Sequence, residues 1–321
     1  MSRLALFSHP ACDLHDPGPG HSESRARLPA LLDAVARDPR LAAAIEHRRG
    51  RLATEGDLLR AHSPGHLARV RAAVDEARGG GLAWLDPDTP VSAGSLRAAR
   101  AAAGCAIGAA EAVVEGSAPI SFSLSRPPGH HATAERAMGF CLFNNVAVAI
   151  RAVQAGRPGL EVLVVDWDAH HGNGTQEIFY DDPSVYVLSV HVAGDYPGTG
   201  DSAERGTGRG RGTTRNVPLR PGTTAAEYRR RNAEALEAAL AEFTPGLIIL
   251  SAGLDLLAGD PEGGLALEPE DLHGLATDLL GRISGRAPLA GVLEGGYAPR
   301  RIGAGLVNLL RGLAGFEPAG G

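Results

Sequence analysis

Val162-Leu163-Val164-Val165-Asp166-Trp167-Asp168-Ala169-His170 is the stretch that decides the fold. Its four leading apolar residues read as a strand buried on both faces, the kind found in parallel sheets. A strand sends alternate side chains to opposite faces, so extended geometry carried to the end would point Asp166, Asp168 and His170 the same way. Two carboxylates and an imidazole at this spacing suit a divalent cation such as zinc, iron or cobalt. Taken alone, the same residues also fit a solvated strand end with a helix-capping Asp.

Outward from this run, further strands are expected at Leu4–Phe7, Ile120–Leu124, Val185–Val190, Leu247–Leu250 and Leu289–Leu293. Helical patterns fall between them, at Ser24–Arg37, Ser95–Glu115, Asn144–Ala155, Thr224–Glu242, Pro269–Ser284 and Pro299–Leu313. Ser95 reads as a helix cap, and Thr223 or Thr224 with Glu227 as a capping box. The alternation implies an α/β fold, with a central, mostly parallel sheet covered by helices on both faces. No repeat or clean linker interrupts the chain, so residues 1–321 read as a single domain. Gly198–Arg215, rich in Gly and Arg, reads as a long structured loop rather than a nucleic-acid-binding tract.

The 321 residues are 44% hydrophobic and 21% charged, the balance of a globular protein, and the net charge of -6 argues against a direct nucleic-acid partner. All 31 basic residues are Arg, which fits a compositional bias. Cys12, Cys105 and Cys141 are odd in number and widely spaced, so neither a disulfide framework nor a thiolate zinc site is indicated. No stretch approaches membrane-spanning length, and Met1–Phe7 lacks a signal-peptide core, so a cytoplasmic location is expected. The sequence leaves a homo-oligomer open.

Several expected strands run directly into chemically capable residues: Ser125–His131, Asp166–His170, Ser251–Asp255 and Glu294–Tyr297. Ligand sites of open parallel sheets lie beyond the carboxyl ends of the strands, so these remote segments should meet in one place. The segments RPPGHHA (126–132), GFCLFNN (139–145), VVDWDAHHGNGTQEIF (164–179), YPGTG (196–200), SAGLDLLAGDP (251–261) and LEGGY (293–297) together resemble the histone deacetylase family. The likeness extends to its bacterial amidohydrolases and acetylpolyamine amidohydrolases. His15–Arg27 is a looser match, with Ser22 and Ser24 where related bacterial sequences often carry Pro and Arg. The resemblance implies an arginase/deacetylase-like fold, one catalytic metal (zinc, with iron or cobalt as alternatives) and hydrolysis of an acetyl amide.

By the same resemblance, Asp168, His170 and Asp255 are the metal ligands. His131 is the general base and acid, oriented by Asn173, and His130 is an electrostatic partner held by Asp166. Tyr297 donates to the developing oxyanion, and Gly139, Phe140 and Tyr196 line the substrate channel. Ser189, with the carbonyls of Asp166, Asp168, His170 and Val190, matches a structural potassium site, and His191 reads as structural. Glu262 matches a gatekeeper position of polyamine deacetylases. A rim carboxylate would attract an ammonium, so acetylpolyamines are favoured over acetyl-lysine in proteins. Two rival readings remain. A two-metal ureohydrolase carries further Asp ligands where this chain has Gly172 and Leu257. A catalytically silent acyl-amine binder would be expected to have lost one of these residues.

Overall fold

In the computed structural model of the chain, residues 4–319 are described. Met1, Ser2 and Arg3 of the N-terminal stretch, with Gly320 and Gly321 of the expected 1–321 domain, lie outside the described residues. The strands are β1 (Leu4–Ser8), β2 (Ile45–Arg49), β3 (Ala83–Trp84), β4 (Pro90–Val91), β5 (Ile120–Ser123), β6 (Val162–Asp166), β7 (Val185–Val192), β8 (Thr214–Leu219), β9 (Leu247–Ala252) and β10 (Leu289–Leu293). The helices are α1 (Arg27–Arg37), α2 (Pro39–Ala44), α3 (Glu55–Leu58), α4 (Pro64–Ala77), α5 (Ser95–Val114), α6 (Asn145–Gly156), α7 (Asn173–Phe179), α8 (Ala225–Glu242), α9 (Asp271–Ile283) and α10 (Pro299–Leu313). Eight strands form one sheet in the order β2-β1-β5-β10-β9-β6-β7-β8, and every pairing in it is parallel. A separate antiparallel pair, β3–β4, lies outside that sheet.

The two-residue alternation of β6 explains the layers. Leu163 and Val165 enter one core cluster, together with buried residues of α1, α8, α9 and α10. Val162 and Val164 enter another, with residues of α4, α5, α6 and α7. A continuous apolar run is what a strand covered on both faces requires. Trp167 and Ala169 continue into the first cluster, so the alternation outlasts the strand and leaves Asp166, Asp168 and His170 on the other side. No helix among the described residues is long and apolar enough to cross a membrane.

Local signals hold in part. The Thr224 hydroxyl accepts from the Glu227 amide at 3.4 Å and caps α8. The Thr223 hydroxyl donates instead to the Arg220 carbonyl. Ser95 is not the cap of α5: Gly94 takes that position, and the Ser95 hydroxyl accepts from the Ser92 amide at 2.8 Å and meets His15 Nδ1 at 2.7 Å. A side chain on Gly94 would strike the Leu14 carbonyl at 2.3 Å, so only glycine fits there. The Gly/Arg-rich segment is a structured loop ending in β8, with the Arg215 guanidinium bonded to Glu242 and to the Tyr186 hydroxyl.

Candidate active site

β5, β10, β9 and β6 are consecutive in the sheet, and the polar segments that follow them meet at its carboxyl edge. Beyond β6 two successive side-chain bonds brace the chain: Asp166 Oδ1 accepts from the Asp168 amide and Asp168 Oδ1 from the His170 amide, each at 3.0 Å. Such side-chain-to-backbone bonds alternate with cross-strand ones, since the Trp167 amide still donates to the Ser251 carbonyl at 2.9 Å and the Ala169 carbonyl accepts from the Val192 amide at 2.8 Å. Asp166 is not in the cluster that the strand period alone would give it; its Oδ2 lies 3.1 Å from His130 Nδ1, the pairing that the resemblance implies.

Asp168, His170 and Asp255 do converge. One ligand atom from each lies within 4.8 Å of the others, the one such cluster of three among the described residues. Asp168 Oδ1 is 3.0 Å from His170 Nδ1, while its Oδ2 accepts from the Gly295 amide at 2.8 Å. Asp255 Oδ1 accepts from the Ala169 amide at 2.8 Å. Its Oδ2 is buried without a hydrogen bond, with His170 Nδ1 at 3.5 Å. A bare buried carboxylate oxygen is costly unless a cation meets it. A side chain on Gly295 would sit 1.9 Å from Asp255 Oδ2 and 2.7 Å from Asp168 Oδ2, so glycine keeps the space between the carboxylates clear. This donor set fits a divalent cation.

His130 and His131 lie with ring centroids 3.9 Å apart and planes tilted by 45°. Burial opposes charge on both, yet they diverge. Asp168 and Asp166 overcome it at His130 and raise its pKa to about 10. At His131 burial is reinforced by the neighbouring His130 and His170, and the pKa falls well below its ordinary value. The His131 Nδ1 to Asn173 Oδ1 distance is 2.8 Å, so a neutral amide orients the ring and adds no charge. Burial raises the Tyr297 phenol well above its ordinary pKa, which keeps the hydroxyl protonated.

Phe140 leans edge-on against Tyr297 (5.5 Å), and Tyr196 against His131 (5.0 Å) and His170 (6.3 Å). The two rings thus stand against different members of the site. Gly139 does more than leave room: a side chain there would lie 2.5 Å from the His131 ring and 2.9 Å from Tyr196. Its positive φ of 55° and that of Phe140, 67°, make a turn whose amides are held by Asp88 and Thr89. The Glu262 carboxylate accepts from the Ser22 hydroxyl. The neighbouring His21 ring is edge-on to Phe140 at 4.7 Å, which ties Glu262 to the rim loop.

Register places Ser189 beside Asp166, and the Ser189 hydroxyl meets His191 Nδ1 at 2.9 Å. The Val190 carbonyl accepts from the Tyr228 hydroxyl at 3.4 Å, and His191 Nε2 donates to the Gly200 carbonyl at 3.1 Å. Gly172 and Leu257 supply no ligand. A side chain at the first would strike Asp166 Oδ2, and the second is a buried core residue.

Sequence reasoning missed the supports beneath these groups. Glu294 accepts from the Gly129 and His130 amides at 2.7 and 3.1 Å and fixes the loop carrying both histidines. Buried Glu23 pairs with Arg126 and with Arg27, at 3.0 Å for the latter. Arg27 also donates to the carbonyls of Glu294 and Gly296 (2.6 Å each) and lies 4.6 Å over the Tyr297 ring. A charged triple in these particular loops has no periodicity to reveal it. The available signal was only that Glu23, Arg27, Arg126 and Glu294 stand beside residues already singled out.

Comparison with known proteins agrees with this geometry. The profile of the histone deacetylase domain matches residues 21–313. A histone deacetylase-like amidohydrolase of Pseudomonas aeruginosa is 39% identical over 92% of this chain and 82% of its own. A probable deacetylase of Methanothermobacter thermautotrophicus is 37% identical over 98% of this chain and 92% of its own. The crystal structure of the HDA15 HD domain superposes with a TM-score of 0.91 at 34% identity, covering 100% of this chain and 90% of that one. Sequence, fold and the arrangement beyond the strands agree, and the chain belongs to the histone deacetylase family.

Proposed function

We propose that this protein hydrolyses the acetyl amide of N-acetylated amines in a metal-dependent reaction, with acetylpolyamines favoured over protein acetyl-lysine. The observation that carries the reading is the convergence of Asp168, His170 and the unbonded Asp255 Oδ2, with the His131 ring edge-on to His170 at 5.8 Å and Tyr297 just beyond the Gly295 that lies against both carboxylates. Those three ligands suit zinc, with iron(II) or cobalt(II) as alternatives. Such an ion supplies polarisation of the amide carbonyl and a lowered pKa for water. A structural potassium ion on Ser189 and the carbonyls of Asp166, Asp168, His170 and Val190 belongs to the same proposal.

The chain's own residues do the proton work. His131, neutral near pH 7, accepts a proton from water as the hydroxyl adds to the carbonyl carbon. Cationic His130, held by Asp166, stabilises the negative charge that develops. Tyr297 donates a hydrogen bond to the oxyanion. His131 then returns its proton to the amine nitrogen as the C–N bond breaks, leaving acetate and free amine. Release of acetate, abolished by a chelator and restored by zinc, tests this directly. Acetyl-amine binding without acetate release by metal-loaded protein would leave only a silent binder.

Two predictions arise here. Asn173→Asp places a carboxylate on His131 and favours its protonated form, so its pKa rises. The base must be neutral, so the acid limb of the kcat/KM profile should move up by about one pH unit or more. An unmoved limb would remove His131 as the titrating base. Glu262→Leu removes the rim carboxylate. Its partly exposed attraction for an ammonium is worth up to about 1 kcal/mol, roughly fivefold. Relative kcat/KM for acetylspermidine over an acetyl-lysine peptide should fall by about that factor, and an unchanged ratio would end the polyamine argument.

A further inference from the structure

We infer that Asp260 is a positioning residue that locks Tyr297 and the Glu262 rim into one rigid unit. The inference rests on the proposed roles of those two residues. Asp260 is 7% exposed. Its Oδ2 accepts from the Tyr297 amide at 2.6 Å and the Ala298 amide at 3.0 Å, while its Oδ1 accepts from the Glu262 amide at 3.1 Å. Ala298 is the N-cap of α10 and offers no side-chain cap of its own. The Asp260 carboxylate takes the two amides that lead into this helix from a remote loop, at a helix start where a negative charge is favoured.

The same loop is pressed onto the metal-ligand segment. A side chain on Gly263 would lie 1.9 Å from the Asp255 carbonyl and 3.2 Å from Asp260 Cβ. The Leu254 amide donates to the Gly295 carbonyl at 3.0 Å and closes the circuit from the other side. One buried carboxylate therefore joins the turn that aims the phenol to the loop that carries the rim charge. Both of its oxygens are needed. An amide at this position keeps one acceptor and turns an N–H₂ toward an N–H, so one side must let go. Displacement of a catalytic group by about 1 Å can cost roughly a hundredfold.

The test is Asp260→Asn in zinc-loaded full-length protein, alone and combined with Tyr297→Phe or Glu262→Gln. On an acetyl-lysine peptide, kcat should fall ten- to a hundredfold with KM and zinc content nearly unchanged. In the Tyr297→Phe background the same change should add less than threefold, because the residue it positions is already disabled. On acetylspermidine KM should rise as well, and Glu262→Gln should erase that excess. Losses that multiply in full in the Tyr297→Phe background, or loss of zinc, would overturn the inference. Asp260→Glu keeps the charge and both oxygens but carries them one methylene farther out, so it shifts the Tyr297 turn without unmaking its bonds and carries the same test if the Asn variant does not fold. Failure of both to fold would make Asp260 simply structural and also overturn it. If Tyr297→Phe alone keeps its kcat, the reading of the site fails first. If it loses kcat while Asp260→Asn does not, only this inference fails.

Discussion

Tyr297→Phe is expected to fold, to hold its metal and to lose about 10²–10³ in kcat, the usual effect of deleting one oxyanion donor, about 2.7–4 kcal/mol. The phenol suits the task because burial keeps it protonated at any working pH. Its ring is covered by Arg27 at 4.6 Å and met edge-on by Phe140 at 5.5 Å. Phe preserves both contacts. Among the described residues no hydrogen bond holds the hydroxyl, so its loss should change stability by no more than about 0.5 kcal/mol. Because the bond is made as the carbonyl becomes an oxyanion, the loss should fall on kcat and leave KM nearly unchanged. The measurement is kcat and KM beside zinc content and melting temperature. A variant with near-wild-type kcat would show that the oxyanion finds its donor elsewhere, and the proposed chemistry would have to be rebuilt.

What the sequence makes legible follows from what each element buries. The six central strands are apolar because helices cover both faces, and every one of them is readable. The two edge strands are not. β2 is Ile-Glu-His-Arg-Arg, with mostly exposed or half-buried side chains, and β8 carries Pro218 and Arg215. An edge needs no second ladder and tolerates proline, so neither shows the apolar run of a central strand. The short helices α2 and α3 lack enough turns for a periodic stripe. α1 begins at Arg27 rather than Ser24, because the chain before it is spent in tight turns, with the Ser24 amide on the Ser22 carbonyl at 2.8 Å and the Arg27 amide on the Ser24 carbonyl at 3.2 Å.

The site divides in the same way. Residues that touch the expected cation or substrate sit in compact motifs at strand ends, and the topology gathers them. Their supports do not announce themselves. Glu294 and Asp260 work by accepting backbone amides 164 and 37 positions away, contacts that no local spacing encodes. Asp166 shows the limit of a purely periodic argument. It keeps to the same side as Asp168 and His170, but a two-residue repeat cannot say that its carboxylate turns to His130 instead of the cation.

Asp255→Asn should abolish turnover, with a fall of at least 10³ in kcat, and should release the metal, yet it should not weaken the stripped protein. In that state Asp255 is a liability. Burial, with Asp168 close by, raises its pKa from 3.8 to about 7. A carboxyl whose folded pKa lies above its unfolded one takes up protons on folding. Its ionisation therefore subtracts stability progressively as pH rises from near 4 to about 7, and the penalty is fully present above that. Asparagine keeps the Oδ1 acceptor that the Ala169 amide uses at 2.8 Å and removes the charge. With chelator at pH 8 the variant should melt at or above the wild-type temperature, and the difference should vanish near pH 4. Added zinc should reverse the order, since a cation bound to the native state alone stabilises wild type by mass action and finds only two ligands in the variant. Elemental analysis should find one metal per wild-type chain and almost none in the variant. A variant that retains metal and turnover, or one that melts well below stripped wild type at pH 8, would mean that Asp255 Oδ2 is left without a hydrogen bond for some reason other than a cation.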